Sequence, residues 1–397
     1  MLSHFITGKS NAIVTAVVAL GIALPSVSTR AQNHDEDEDH EQTILQFSTV
    51  GDSRQDPVSP DPTTLPLSGQ DAIWLENTKA LSRILHSVEE QGSHLFFFNG
   101  DMIMGYGNAI VPANTTTVSN IVNSDLVNFY KQYAFWRGMV SRTLESGTYV
   151  VPVAGNHETQ WKAGGKKAQA VNEDAWRANM GDLILDNTRF LNLFGEQPSN
   201  EDLADHRVYD NLATDQSKLS YSFDFHGSHF VVINTDPVGK DAHAPVNWLA
   251  HDLLAAKQRG IPHSFVFGHK PAFTYYFGAN VLLPATPSGL DNDPVARDLF
   301  WSVIEQDGAT YFCGHEHIFN MMQPLAGQGG KAWQILVGSG GSPFDASPTD
   351  VTINPQTDRA YAWATVKVYR NGKVKITAYG FDDQFGPTRT LRSVTLR

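Results

Sequence analysis

Six residues able to bind metal occupy matched places in this 397-residue chain. Asp52, Asp101, Asn156, His269, His315 and His317 each follow a short apolar run, with a glycine beside or near them. Glycine lets the backbone turn sharply and come close to an ion. Singly, each residue has an ordinary explanation, since an Asp after a strand forms turns and a lone histidine is more often surface or hydrogen-bonded core. The joint pattern carries the information. Two divalent ions about 3.5–4 Å apart need a carboxylate able to bridge them, with imidazole and carboxamide ligands completing each shell. Such a pair lowers the pKa of a shared water, so that hydroxide forms near neutral pH, and neutralises charge on a transferring phosphoryl group. The single cysteine, Cys313, excludes an intramolecular disulfide and a Cys-based zinc cluster. Nitrogen and oxygen ligands remain, and Fe, Zn, Mn and Mg all accept them.

The apolar runs that carry these residues read as buried strands. They span 44–50 before Gly51-Asp52, 94–98 before Gly100-Asp101, and 149–153 before Gly155-Asn156-His157. Three more span 230–234 before Thr235-Asp236, 264–267 before Gly268-His269, and 310–312 before Gly314-His315. Helical patterns lie between them. Leu81, Ile84, Leu85 and Val88 fall on one face, with Gly92 as the stop. A second helix starts after Ser124, with Leu126, Phe129, Tyr130, Tyr133 and Val140 inward, and two more span 246–257 and 295–305. Helices alternating with buried strands predict an α/β fold, in which ligands lie at the carboxyl ends of the strands. From Trp333 the pattern alternates, and Asn371-Gly372 marks a hairpin. Residues 43–397 contain no composition break and read as one domain. Long polar connections at 56–71, 105–124, 160–182, 198–216 and 339–358 are either functional or plain surface loops.

Gly51-Asp52, Gly100-Asp101, Gly155-Asn156-His157-Glu158, Gly268-His269 and Gly314-His315-Glu316-His317, in this order, resemble the motifs of the calcineurin-like metallophosphoesterase superfamily, which includes the purple acid phosphatases. Asp236-Pro237-Val238, Asn247-Trp248-Leu249 and Lys270-Pro271 are similar as well, so the likeness runs from about residue 43 to 380. The resemblance implies a four-layer α/β/β/α sandwich of two mixed sheets and two divalent or trivalent metal ions. It implies that Asp101 bridges them, that Asn156, His269 and His315 complete one site, and that Asp52 and His317 belong to the other. His157 would meet the substrate as acid or phosphate contact, with Glu158 orienting it. The implied activity is hydrolysis of phosphate monoesters or diesters, with a small-molecule phosphate ester as substrate.

One position departs from that pattern. The usual Asp-x-His reads Asp52-Ser53-Arg54. Arginine keeps its charge and does not ligate metals. Arg54 either holds a substrate phosphate through its two-pronged guanidinium or pairs with a nearby carboxylate. Gln55, Tyr106 or water would then supply the missing ligand. The tyrosine of the purple acid phosphatase pattern is replaced by Met104. Lys162, Lys166 and Lys167 either face an anionic substrate or form a solvated loop, the commoner meaning of such a cluster. Phe273, Tyr275, Tyr276 and Phe277 either stack on a leaving group or pack under a loop. The rival reading of the whole chain is a non-catalytic, metal-stabilised binding protein whose site Arg54 has degraded.

The net charge of −13 is partly a flank. Residues 34–41 hold six acids, and without residues 1–41 the count is 27 basic against 36 acidic. An acidic chain lacks the electrostatic footprint for stable nucleic-acid binding. Residues 12–24 form an apolar run behind Lys9, too short for a membrane span of about 20 residues. They fit a signal peptide over 1–31 with cleavage after Ala31, followed by a flexible acidic segment over 32–42. That reading predicts a secreted or periplasmic protein with no membrane span in the mature chain.

Overall fold

The protein was analysed as a computed structural model describing residues 42–55, 70–113, 117–278 and 285–396, with side chains of the first helix from residue 78 onward. The leader predicted over 1–31 and nearly all of the acidic segment over 32–42 lie outside the described residues. The chain begins with β1 (Thr43–Val50), α1 (Gln70–Glu90), β2 (Leu95–Asn99), α2 (Val118–Val122), α3 (Asp125–Glu145) and β3 (Tyr149–Val153). Next come α4 (Asn156–Thr159), β4 (Gln160–Trp161), β5 (Lys167–Ala168), α5 (Ala170–Met180), α6 (Asn187–Phe194), β6 (Ser199–Asp202) and α7 (Arg207–Asp210). They are followed by β7 (Tyr221–Phe225), β8 (Ser228–Val232), α8 (Val246–Gln258), β9 (His263–Phe267), α9 (Pro294–Asp307) and β10 (Thr310–Cys313). The last strands are β11 (Phe319–Met322), β12 (Trp333–Val337), β13 (Tyr361–Tyr369), β14 (Val374–Phe381) and β15 (Arg389–Leu396).

Two mixed sheets face each other. One has six strands in the order β15-β14-β13-β1-β2-β3, and the other has seven in the order β11-β12-β10-β9-β8-β7-β6. Phe47 of β1 joins them: its ring meets Phe97 beside it and Phe230, Phe265, Phe267 and Phe312 opposite, with centroids 4.9–5.9 Å apart. Strand periodicity divides β10 between two clusters, with Phe312 in this inter-sheet core and Tyr311 and Cys313 on the outer face. There α8 and α9 cover the sheet with Trp248, Leu249, Phe300 and Trp301. On the opposite side α1 and α3 cover the six-stranded sheet. The result is the predicted order of layers, α/β/β/α.

Both sheets deliver their parallel strands to one edge. β1, β2 and β3 are mutually parallel, as are β8, β9, β10 and β12. Every strand that precedes a candidate ligand therefore ends on the same side. Backbone bonds lace the sheets together there, from Gly51 N to the Val337 carbonyl at 2.9 Å and from Gly340 N to the Gly51 carbonyl at 2.8 Å.

Several expectations change. Tyr130, expected inward, is 63% exposed, because the buried face of α3 is set by Phe129, Tyr133, Trp136 and Val140. The connection at 160–182 contains a small hairpin and α5, whose buried face includes Asn172 and Glu173. Polar residues at buried positions hide that helix from hydrophobic periodicity. A final strand, β15, also follows the expected hairpin.

At the far end of the seven-stranded sheet, His229 is buried between two carboxylates. Its Nδ1 lies 2.6 Å from Asp224 and its Nε2 2.9 Å from Asp252, while Arg259 donates to Asp224 at 2.9 and 3.0 Å. Burial acts to lower the His229 pKa, but the bonds to both carboxylates outweigh it and raise it. Burial acts to raise Asp224, but His229 and Arg259 hold it below its ordinary value. The histidine's contribution to stability is thus full below about pH 6.5 and fades as pH rises through the higher folded value. The aspartate's contribution is present above about pH 4 and fades as pH falls through its lower folded value. His229→Gln is expected to lower stability by about 3 kcal/mol at neutral pH. Thermal unfolding followed from neutral to alkaline pH should also lose part of its slope in the variant; an unchanged slope would refute the assignment.

Candidate active site

The turns after the strands place several non-glycine residues in left-handed backbone. Asp52 has φ 64°, Arg54 39°, Asp101 52°, Tyr106 61° and His315 74°. Such residues carry strain and persist where surrounding bonds fix them. Here Asp52 N donates to the Gly100 carbonyl at 3.0 Å, Arg54 N to the Asp101 carbonyl at 2.8 Å, and Ser342 N to the Asp52 carbonyl at 2.9 Å. Space is equally constrained, since a Cβ on Gly314 would stand 2.1 Å from Asp52 Oδ2. Only glycine fits that turn.

The six expected ligands meet in one place. Asn156 Oδ1 lies 2.8 Å from His269 Nε2 and 2.9 Å from His315 Nδ1, and the two rings approach to 3.2 Å. Asp101 Oδ1 is 3.2 Å from His269 Nε2, and His317 Nε2 is 3.7 Å from Asp52 Oδ1. Asp101, His269 and His315 offer donor atoms within 4.8 Å of one another, and so do Asp52, Asp101 and His317. Asp101 belongs to both groups, as a bridging carboxylate would.

Three of the rings are held from behind by backbone carbonyls. His269 Nδ1 lies 2.8 Å from the Asn99 carbonyl, and His317 Nδ1 lies 2.7 Å from that of Pro343. His157 Nδ1 lies 2.6 Å from the Met104 carbonyl, leaving Nε2 3.6 Å from Asp101 Oδ2. A ring whose Nδ1 donates to a carbonyl presents a bare Nε2, the form that binds a metal. His315 differs, turning Nδ1 into the site. The expectation that Glu158 orients His157 is not met. Its carboxylate accepts from the amides of Asp101, Met102, Ile103 and Gly155 at 2.9, 3.0, 3.2 and 2.7 Å, and so fixes the turn that carries Asp101.

Burial dominates the electrostatics. It pushes the Asp52 carboxyl well above its ordinary range, and the nearby Asp101 adds to this. Burial also opposes Asp101, yet the His157 and His269 rings hold that carboxyl well below its usual range. His269 is disfavoured by burial too, but Asp101 and Asp52 raise it to about 10. Burial takes His157 down to about 3, with Asp101 pulling against it. Two enclosed carboxylates that draw positive charge this strongly, beside carboxamide and imidazole donors and no thiol, fit two metal ions.

A cleft of about 580 Å³ opens over these residues. Arg54 lines it, with Nε 3.1 Å from Ser342 Oγ and Nη2 3.5 Å from His317 Nδ1. Gln55, named as a substitute ligand, instead bonds Ser53 O at 3.3 Å and Thr78 Oγ1 at 3.4 Å. Tyr106, the other substitute, packs on the His157 ring with centroids 3.7 Å apart and takes a bond from Asn156 Nδ2 at 2.5 Å. Of the aromatic group, Phe277 lines the cleft and stacks near His315, whereas Tyr275 and Tyr276 bond Asp358 and Asp350. Lys162, Lys166 and Lys167 all reach the cleft wall. Sequence reasoning missed Asp345, which accepts from His317 N at 2.8 Å. It also missed Glu316, whose carboxylate accepts from the amides of Tyr275, Tyr276 and Phe277 at 2.8, 2.7 and 2.5 Å. The Gly- and Ser-rich run before Asp345 was the available signal.

Comparison with solved structures finds a purple acid phosphatase from yellow lupin (Lupinus luteus) seeds at TM-score 0.54 and 12% identity, covering 88% of this chain and 53% of that one. This chain therefore spans about half the length of the lupin protein. A dimetal phosphatase from Danio rerio is similar at TM-score 0.42 and 12% identity, covering 88% of this chain and 99% of that one. No curated protein matches the sequence. The family model for the calcineurin-like phosphoesterases matches residues 70–319, more than half of the chain, and with the shared fold and the paired donor groups it establishes that the chain belongs to the calcineurin-like phosphoesterase family.

Proposed function

We propose that this chain is an exported hydrolase of phosphate esters whose two metal ions are held by Asp52, Asp101, Asn156, His269, His315 and His317. The convergence of these six side chains, from turns of both sheets, on one cluster, with Asp101, Asn156, His315 and His317 lining the cleft above it, carries the reading. When bound there, the ions supply Lewis acidity toward the phosphoryl oxygens and acidify the attacking water. Asp101 spans both donor groups, and Glu158 keeps it in place through the backbone. Arg54 offers its guanidinium to the phosphoryl oxygens. His157 rests neutral with Nδ1 on the Met104 carbonyl. The negative charge of a bound ester would oppose its lowered pKa, so that Nε2, protonated from solvent, would give that proton to the leaving oxygen. The rival, a non-catalytic binding protein, is disfavoured because every expected ligand and His157 reach the same site.

The test is metal-depleted protein reloaded with Fe, Zn, Mn or Mg, with metal content and turnover of p-nitrophenyl phosphate and its bis-ester measured together. Folded, metal-loaded protein that turns over no ester would return the rival. Asp101→Asn should reduce bound metal below two per chain and lower kcat on the order of 10³-fold. His157→Asn should keep both ions and lower kcat by about 10²-fold or more on alkyl phosphates, but less on p-nitrophenyl phosphate, whose leaving group needs little protonation. Equal losses on both substrates would remove the acid role. Export rests on the apolar run at 12–24 and the small residues before Ala31. Mass spectrometry of the product released by secreting cells should show a chain starting at Gln32, and an intact leader would contradict it.

A further inference from the structure

The cleft wall carries more positive charge than one phosphoryl group requires. Arg54, Lys162, Lys166, Lys167 and Lys270 line it, against the carboxylates of Asp101, Asp241 and Asp345, in a chain whose net charge is −13. Two of the five cations are matched close by: Lys270 Nζ lies 2.6 Å from Asp236 and Lys167 Nζ 3.2 Å from Asp241. Arg54 sits beside His317, at the ligands. Lys162 and Lys166 are exposed and, among the described residues, have no carboxylate within ion-pair distance.

The segment that presents them is anchored. Lys162 and Lys166 lie in the turn between β4 and β5. Gln160 Nε2 bonds Asp236 at 3.1 Å and Asp241 at 3.2 Å, and Ala168 N bonds Asp241 at 2.8 Å. Lys162 N donates to the Tyr106 carbonyl at 3.0 Å, and Tyr106 N to that of His157 at 3.0 Å. The turn is closed by Lys166 N on the Trp161 carbonyl at 3.0 Å, with Lys166 in left-handed backbone at φ 57°. The backbone that carries the two lysines is thus fixed at the cleft wall, one short chain of backbone bonds from His157. A solvated lysine loop needs no such anchorage.

We infer that Lys162 and Lys166 form a second anion subsite, and that the substrate class is phosphate esters bearing a second phosphoryl group. The inference rests on the phosphoester reading of the same cleft. The phosphoryl group under attack is matched by the ligand cluster and Arg54. Lysine ammoniums act as point charges on a phosphoryl dianion placed outward from it.

The experiment compares metal-loaded wild type with the Lys162→Ala/Lys166→Ala double variant and a Lys162→Arg/Lys166→Arg control. It reads kcat/KM for a hexose bisphosphate relative to the matching monophosphate, and calorimetric binding of pyrophosphate relative to orthophosphate. Wild type should favour the doubly phosphorylated member of each pair by about tenfold, through KM, and added salt should shrink the preference. The alanine variant should lose it and the arginine control retain it. Ester turnover with the same ratios in all three proteins would overturn the subsite and leave the hydrolase intact. A lysine-dependent preference for pyrophosphate without ester turnover would sustain the subsite and sink the hydrolase.

Discussion

Four backbone amides from the ends of two neighbouring parallel strands converge on the buried carboxylate of Glu158, and the site depends on that contact. The turn after β2 leaves the strand through left-handed backbone at Gly100 and Asp101, so the amides of residues 101–103 lose their ladder partners. Each such buried amide, left unpaired, would cost about 1–3 kcal/mol. One carboxylate, brought from β3 by the short helix α4, satisfies all of them. Its own burial and the charge of Asp101 raise its pKa to about 7 against the pull of those amides. Glu316 repeats the device on the other sheet, holding the amides of residues 275–277 and likewise raised to about 7, mainly by burial.

This arrangement places strain and charge where the packing is strongest nearby. The rings around Phe47 fix the separation of the sheets, and losing one would cost about 3–5 kcal/mol. With that spacing set, bonds such as Gly51 N to Val337 O cross between sheets and fix how far Asp52 stands from His315 and His317. His315 N then reaches Asp52 at 2.9 and 3.1 Å, which ties the ligand turns of the two sheets to each other. A shift in either sheet would move ligands in both donor groups.

The strand ends were legible because a buried run followed by glycine and one polar residue leaves few alternatives. The α/β class followed from helices alternating with such runs, whereas the order of the four layers came from the resemblance of the motifs. What sequence could not show depends on partners far along the chain. Glu158 adjoins His157 in sequence, yet its partners lie 55 to 57 residues away as well as at Gly155. Tyr106 was legible only as a substitute ligand, and its place against the His157 ring follows from the turn that presses it there. In α5 the buried Asn172 bonds Ala109 N and the Gly107 carbonyl, so a polar residue does the packing that periodicity assigns to an apolar one.

Arg54 shows how a departure from motif can act without abolishing a site. A histidine at that position could offer a ring nitrogen, whereas a guanidinium only donates. Its contacts with Ser342 and His317 place a permanent positive charge at the edge of the donor group of Asp52, Asp101 and His317. Burial raises the Asp52 pKa most; the His269 ring is the largest pull against it, and the Arg54 charge adds a smaller one. In the group formed by Asp101, His269 and His315, the charge of Lys270 acts on His315, and His269, raised to about 10 by Asp101 and Asp52 against burial, compensates the carboxylates. The two donor groups are therefore electrostatically unequal. The arginine beside Asp52 is also the side chain placed at the cleft wall, where its guanidinium faces the space over the ligands.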